Sequence, residues 1–159
     1  RRLEAAVAAF QSPAAAPHCK VCVKVCCHSR YCQESRDGAW LRQVWMLEGV
    51  SENDYDPEFG WLSPQGCKLP AGRPPVCFAF LCGKILNPMD GMGERNRHFD
   101  VACLLTAVHR NLHEGRDLHQ LNEDELRRPE VLGEIEARLE RAWLRFDRAT
   151  GERANPGTY

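Results

Sequence analysis

The chain has 159 residues, enough for one domain with a sizeable core and too few for two ordinary ones. Its 43% hydrophobic and 27% charged residues exclude wholesale disorder, and no apolar stretch approaches the roughly 20 residues that a membrane span needs. Twenty-one basic against twenty-two acidic side chains exclude the broad positive field of a nucleic-acid binder.

Residues 3–10 read as a short Ala-rich helix that the prolines of 12–17 should break. Arg1 and Arg2 ahead of that run resemble the start of a targeting segment, but Glu4 interrupts its apolar core. Residues 1–17 are therefore an N-terminal helix and linker. Residues 18–150 form a single metal-binding domain, with a cysteine part at 18–86 and a helical part at 87–150, and 151–159 form a loose tail. Within that domain, 37–50 reads as a helix with Trp40, Leu41, Val44, Trp45 and Leu47 on or near one face, a cover for the cysteines. The Asp, Asn, Gly and Pro content of 51–70 marks a long loop that returns Cys67 toward the first cysteines. A helix over 76–86 should stop before Asn87-Pro88, with a flexible turn at 89–93. Helices over 95–113 and 129–148 follow. In the second, Leu132, Ile135, Leu139, Ala142 and Phe146 recur at three-or-four spacing and Pro129 occupies the first turn. Its polar face, with Glu134 and Arg138 four apart, reads as solvated.

Eight of the nine cysteines fall between positions 19 and 82. Cys19, Cys22, Cys26, Cys27 and Cys32 crowd into one block, and Cys67, Cys77 and Cys82 form a second. In a reduced, cytoplasmic setting such crowding favours metal ligation over disulfides, because thiolates two residues apart reach one ion across a tight turn. Adjacent Cys26 and Cys27 point in different directions, so both should not serve the same ion. The apolar run around Cys77 and Cys82 would shield a centre from water. Disulfides or unpaired core thiols are the alternative use of the same residues, with the odd total leaving one over.

Cys103, in the apolar run 99–108, reads as a packed residue of a buried helix. His18 and His28 flank the first block and are peripheral. His109 and His113 stand four apart without the glutamate of a zinc-protease helix, and read as a solvated pair. The spacing of Cys19, Cys22 and Cys26 reverses that of radical S-adenosylmethionine enzymes, and the chain is too short for their barrel. No single nucleophile stands out.

Cys19-x2-Cys22-x3-Cys26-Cys27, Cys32, Cys67 and Arg73-Pro74-x2-Cys77-x4-Cys82 resemble the YkgJ-type cysteine-cluster family of zinc- or iron-chelating domains over about residues 18–86. Where that family often has a glycine before the cysteine pair, this chain has Val23, Lys24 and Val25. The resemblance implies metal binding by the eight cysteines and fixes no reaction. Fusion of family members to methyl-transfer machinery makes a role as accessory to a methyl-transfer enzyme a third option.

The expectation is a mainly α, small helical domain organised around a cysteine-ligated metal site. A four-iron cubane needs four thiolates and two zinc ions need eight, so the count admits both. The apolar second block and unequal spacing favour an iron-sulfur cluster, 4Fe-4S, with zinc as the alternative. The expected function is an electron carrier or a redox-active or structural subunit of a larger assembly, with a protein partner, no nucleic acid and no membrane span, and without required catalysis. A zinc-stabilised interaction module is the second reading. Loss of the metal should open both blocks.

Overall fold

A computed structural model describes residues 1–19, 28–63, 66–89 and 91–151. Its elements are mainly α-helical, as expected. Helix α1 spans Arg2–Cys19 and runs through Pro13 and Pro17 rather than breaking at them. Each proline lacks the N–H that would reach back four residues, which frees the carbonyls of Ala9 and Pro13. Both prolines are exposed and four apart, so the freed carbonyls share the solvent side, where water can satisfy them. The opposite face carries buried Leu3, Glu4, Val7 and Gln11 and is held by tertiary contacts.

The expected helix over 37–50 is present but shorter, as α3 at Ala39–Leu47, and a helix that was not expected, α2 at Ser29–Asp37, precedes it. They part at Gly38, which is extended at φ −72° and ψ 117°. A Cβ there would lie 3.1 Å from the His119 carbonyl oxygen, so a neighbouring backbone fixes the break. Leu41, Val44 and Trp45 are buried as predicted, but Leu47 is exposed. The segment 51–70 is mostly loop, with a 3-10 turn at Glu52–Asp54. It also holds a two-residue antiparallel ribbon of β1, Leu62–Ser63, and β2, Gly66–Cys67.

The expected helix over 76–86 is interrupted. Val76–Ala79 forms α4 and Gly83–Leu86 forms α5. The expected turn at 89–93 is shorter, because helix α6, Gly91–Ala102, already starts at Gly91. Helix α7 spans Leu104–His109, so Cys103 sits at a junction between helices and not inside one. A 3-10 turn at Leu118–Gln120 and helix α8, Glu123–Leu126, lead to α9 at Pro129–Thr150, which extends two residues past its predicted end. Of its predicted stripe, Ile135, Ala142 and Phe146 are buried with Val131, whereas Leu132 is exposed.

Three apolar clusters result. Leu3 and Val7 of α1 pack with Phe78, Val101, Leu104 and Phe146. Leu112, Leu118, Leu121, Leu126, Val131 and Ile135 make a second. The third joins Cys32, Trp45, Trp61 and Leu69, with the Trp45 and Trp61 rings 5.2 Å apart. At about 1.5–3 kcal/mol per fully buried large side chain, such clusters dominate the favourable terms. No helix among the described residues is long and apolar enough to cross a membrane.

The histidines depart from the predicted solvated pair. Helix α7 ends at His109, which is buried, while His113 lies in the turn that follows, where Asn111 and Glu114 take positive φ. Burial, and secondarily the charge of His119, lowers the His109 pKa to about 3. His119 itself pairs with Glu34 at 3.2 Å, which ties the second 3-10 turn to α2.

Candidate metal centre

Cys22, Cys26 and Cys27 lie outside the described residues, and Cys19 enters as the last residue of α1. The remaining predicted ligands are Cys32, Cys67, Cys77 and Cys82. None of these, nor Cys103, is in a disulfide.

Helix α2 places Cys32, and its sulfur is buried because the loop backbone closes on it at Gly60. A Cβ on Gly60 would lie 2.4 Å from the Cys32 Cβ and 2.9 Å from its Sγ, and Gly60 takes φ +65°. Glycine meets both demands at once. One turn further along α2, the fully buried Ser35 donates its hydroxyl proton to the Gly72 carbonyl and accepts the Trp45 indole N–H at 3.2 Å. The helix of the first cysteine block is therefore bonded to the loop that leads into the second.

That loop is anchored again from α1. The buried Glu4 carboxylate accepts the Gly72 N–H at 2.9 Å and the Arg73 N–H at 3.0 Å, and the Arg73 guanidinium approaches it at 3.6 Å. Arg73 also covers the buried Phe78 ring at 4.4 Å, and Gln11 donates to the Phe78 carbonyl at 3.0 Å. Gly72, at φ +77°, crosses α3 so closely that a Cβ would meet the Leu41 carbonyl oxygen at 2.7 Å. Glu4, Gln11, Ser35, Gly60 and Gly72 had no place in the sequence reading. Glu4 alone carried a signal, as an acid interrupting an apolar run.

Cys67 closes the β1–β2 ribbon opposite Leu62 and is open to solvent on one side. Desolvation on its packed side pushes its thiol pKa up. The Leu69 N–H and the Arg73 charge act in the opposite direction, and the charges of Cys32 and Glu4 add to the rise. Cys32 of the first block packs in one cluster with Trp61 and Leu69, which lie on either side of the β1–β2 ribbon that carries Cys67 of the second. In the same cluster as Cys32, the buried Trp61 indole N–H has no acceptor among the described residues.

Cys77 is exposed on α4, and Cys82 is half-buried as the residue preceding α5. Neither is brought to the Cys32 and Cys67 pair by any contact described above. Among the described residues, no three Cys, His, Asp or Glu side chains are gathered closely enough to hold an ion. The donor set still suits a thiophilic metal in its chemistry. It offers thiols from two blocks, a buried sulfur at Cys32, an N–H from Leu69 at the Cys67 sulfur, and an indole N–H in need of an acceptor.

No family model matches the chain, and neither a curated protein nor a solved structure matches it.

Proposed function

We propose that the chain is an iron-sulfur protein that carries electrons, or serves as a redox-active or structural subunit of a larger assembly. The single observation that carries this reading is the packing of Cys32, from the first cysteine block, with Trp61 and Leu69 on either side of the ribbon that carries Cys67 of the second. Thiolates are the ligating form, so a group bound at Cys67 must displace a proton that burial holds on the sulfur. Arg73 offsets part of the negative charge that several thiolates and a cluster bring together. N–H donors on sulfur raise the potential of a cluster, and Leu69 supplies one. The Trp61 indole N–H, buried without an acceptor, would gain one in a sulfur ligand or sulfide. When bound, the cluster supplies one-electron transfer. The residues around it hold it, exclude water through Trp45, Trp61 and Leu69, and set its charge balance.

The test is anaerobic purification followed by iron, zinc and acid-labile sulfide determination and a visible spectrum. Brown protein with iron and sulfide in matching amounts supports the proposal, and bleaching by dithionite supports electron transfer. Colourless protein with stoichiometric zinc replaces it with a zinc-stabilised interaction module. Protein without metal, prepared anaerobically and refolded with iron and sulfide, defeats both.

A further inference from the structure

Where α9 meets α6 and α7, packing leaves a surface trough far in sequence from the cysteine blocks. Its two stretches, of about 460 and 210 Å³, share Leu104, Ala107 and Arg145. The floor is made of short or apolar side chains, with Ala142 and Ala149 of α9 facing Leu104 and Ala107 of α7. Along the wall, α9 sets Arg138, Arg141, Arg145 and Arg148.

These four arginines lie within about 80° of one another on a helix of 3.6 residues per turn, while Glu136, Glu140 and Asp147 centre about 140° away. Glu130 and Glu134 share the arginine face in the first part of α9, and Glu134 also lines the trough, so that face is basic only from Arg138 onward. Arg138 is engaged, donating to Glu134 and to the carbonyls of Arg110 and Asn111. Arg141 reaches Glu134 at 3.4 Å. Arg145 and Arg148 are exposed and have no ion-pair partner among the described residues. Leu144, half exposed, flanks the row on its outer side.

The row therefore asks for negative charge, and the floor asks for apolar surface. Arginines three, four and three residues apart rise by about 4.5, 6 and 4.5 Å, the repeat at which a second helix presents carboxylates on one face. A continuous line of phosphates fits less well, because Asp100 stands on the α6 side of the trough. We propose that the trough docks an acidic amphipathic helical segment of a partner protein, its carboxylates on Arg145 and Arg148 and its apolar side chains on Ala107 and the floor. This gives the chemistry of a partner for the assembly role proposed above. None of the predicted ligand cysteines lines it, so either reading can fail alone.

The experiment titrates the whole chain into a fluorescent synthetic helical peptide of Glu, Leu and Ala, read by anisotropy at low and high salt. Binding at low salt that weakens with salt is expected. The double variant R145E/R148E should weaken it by about tenfold or more. Ala107→Trp, which fills the trough and leaves the charges in place, should weaken it as well. E136K/E140K, on the opposite face, should not, and melting curves identify any variant that is not folded. The proposal is overturned if the peptide does not bind or if R145E/R148E and Ala107→Trp both bind normally. It is also overturned if poly-glutamate without leucine, or a single-stranded oligonucleotide of equal charge, binds as well as the peptide. Metal content is measured in the same samples, so loss of metal with retained docking separates this surface from the cysteine site.

Discussion

Replacing Glu4 with glutamine tests whether the N-terminal helix holds the second cysteine block in place. The native carboxylate is buried and accepts two backbone N–H groups, from Gly72 and Arg73, at 2.9 and 3.0 Å. Hydrogen bonds to a charged group contribute about 1.5–3 kcal/mol each, and an orphaned buried donor costs about 1–3 kcal/mol. Glutamine keeps one carbonyl oxygen for one of the two amides and turns an NH2 toward the other. It also removes the charge that faces the Arg73 guanidinium at 3.6 Å. The expected loss is about 2–4 kcal/mol, measured by urea denaturation at neutral pH. For a chain of this size it corresponds to a fall in Tm of about 5–15 °C. Hydrogen exchange supplies the local readout, since the Gly72 and Arg73 amides should lose protection before those of α9. If E4Q unfolds within about 0.5 kcal/mol of the parent with both amides still protected, the anchoring argument is wrong.

Gly60→Ala should cost more than about 2 kcal/mol, because the added Cβ meets Cys32 at 2.4 Å in a left-handed backbone. A melting curve checks it, and an unchanged midpoint would show that the loop does not close on Cys32 as described. Serine at Cys32 or Cys67 should reduce bound metal, whereas serine at Cys103, beside the α9 trough, should leave it unchanged, as elemental analysis will read. His109 carries a pH signature. Its folded pKa of about 3 lies below the ordinary histidine value of 6.5, so the unfolded chain takes up a proton first, and stability falls as pH drops from about 6.5 toward 3. Between pH 6.5 and 4.5 the loss should reach about 2 kcal/mol by denaturant titration, and His109→Leu should flatten that slope. Below that window Glu125 joins in. Its carboxyl is held at about 2 by its hydrogen bond from Arg116 and the Asn122 N–H, so its contribution is lost as pH falls from 4.5 toward 2.

The parts of the fold that could be read from the sequence are those settled within one element. In α9 the apolar spacing and Pro129 give helix and face together, and the structure changes only the end and the exposure of Leu132. Local rules fail where distant backbone intervenes. Pro13 and Pro17 signal a break in isolation, but α1 is fastened through Glu4 and Gln11 to Gly72, Arg73 and Phe78, and its prolines face water. The stretch 37–50 shows its helix by periodicity, but the His119 backbone beside Gly38 sets its start at Ala39, and no pattern within the stretch carries that information. For the site, crowding of thiols was visible in the sequence, but which sulfurs approach one another depends on loop closure over tens of residues.

Closure here does not depend on a metal alone. Ser35 bonds α2 to Gly72, the Trp45 indole bonds α3 to Ser35, and Glu4 bonds α1 to Gly72 and Arg73. Cys32 and Cys67 therefore belong to surfaces that ordinary hydrogen bonds and the Trp45–Trp61 contact already join. The two contributions are separable. If the metal were the only link, its removal would unfold both blocks, as the thiol count by itself suggests. With these bonds in place, removal should relieve or expose the sulfurs and lower the barrier to opening the loop, while α9 and the cluster of Leu3, Val7, Val101 and Phe146 keep their packing. Hydrogen bonds that already order this loop would lower the cost of ligation, since part of the loop entropy is spent before a metal arrives.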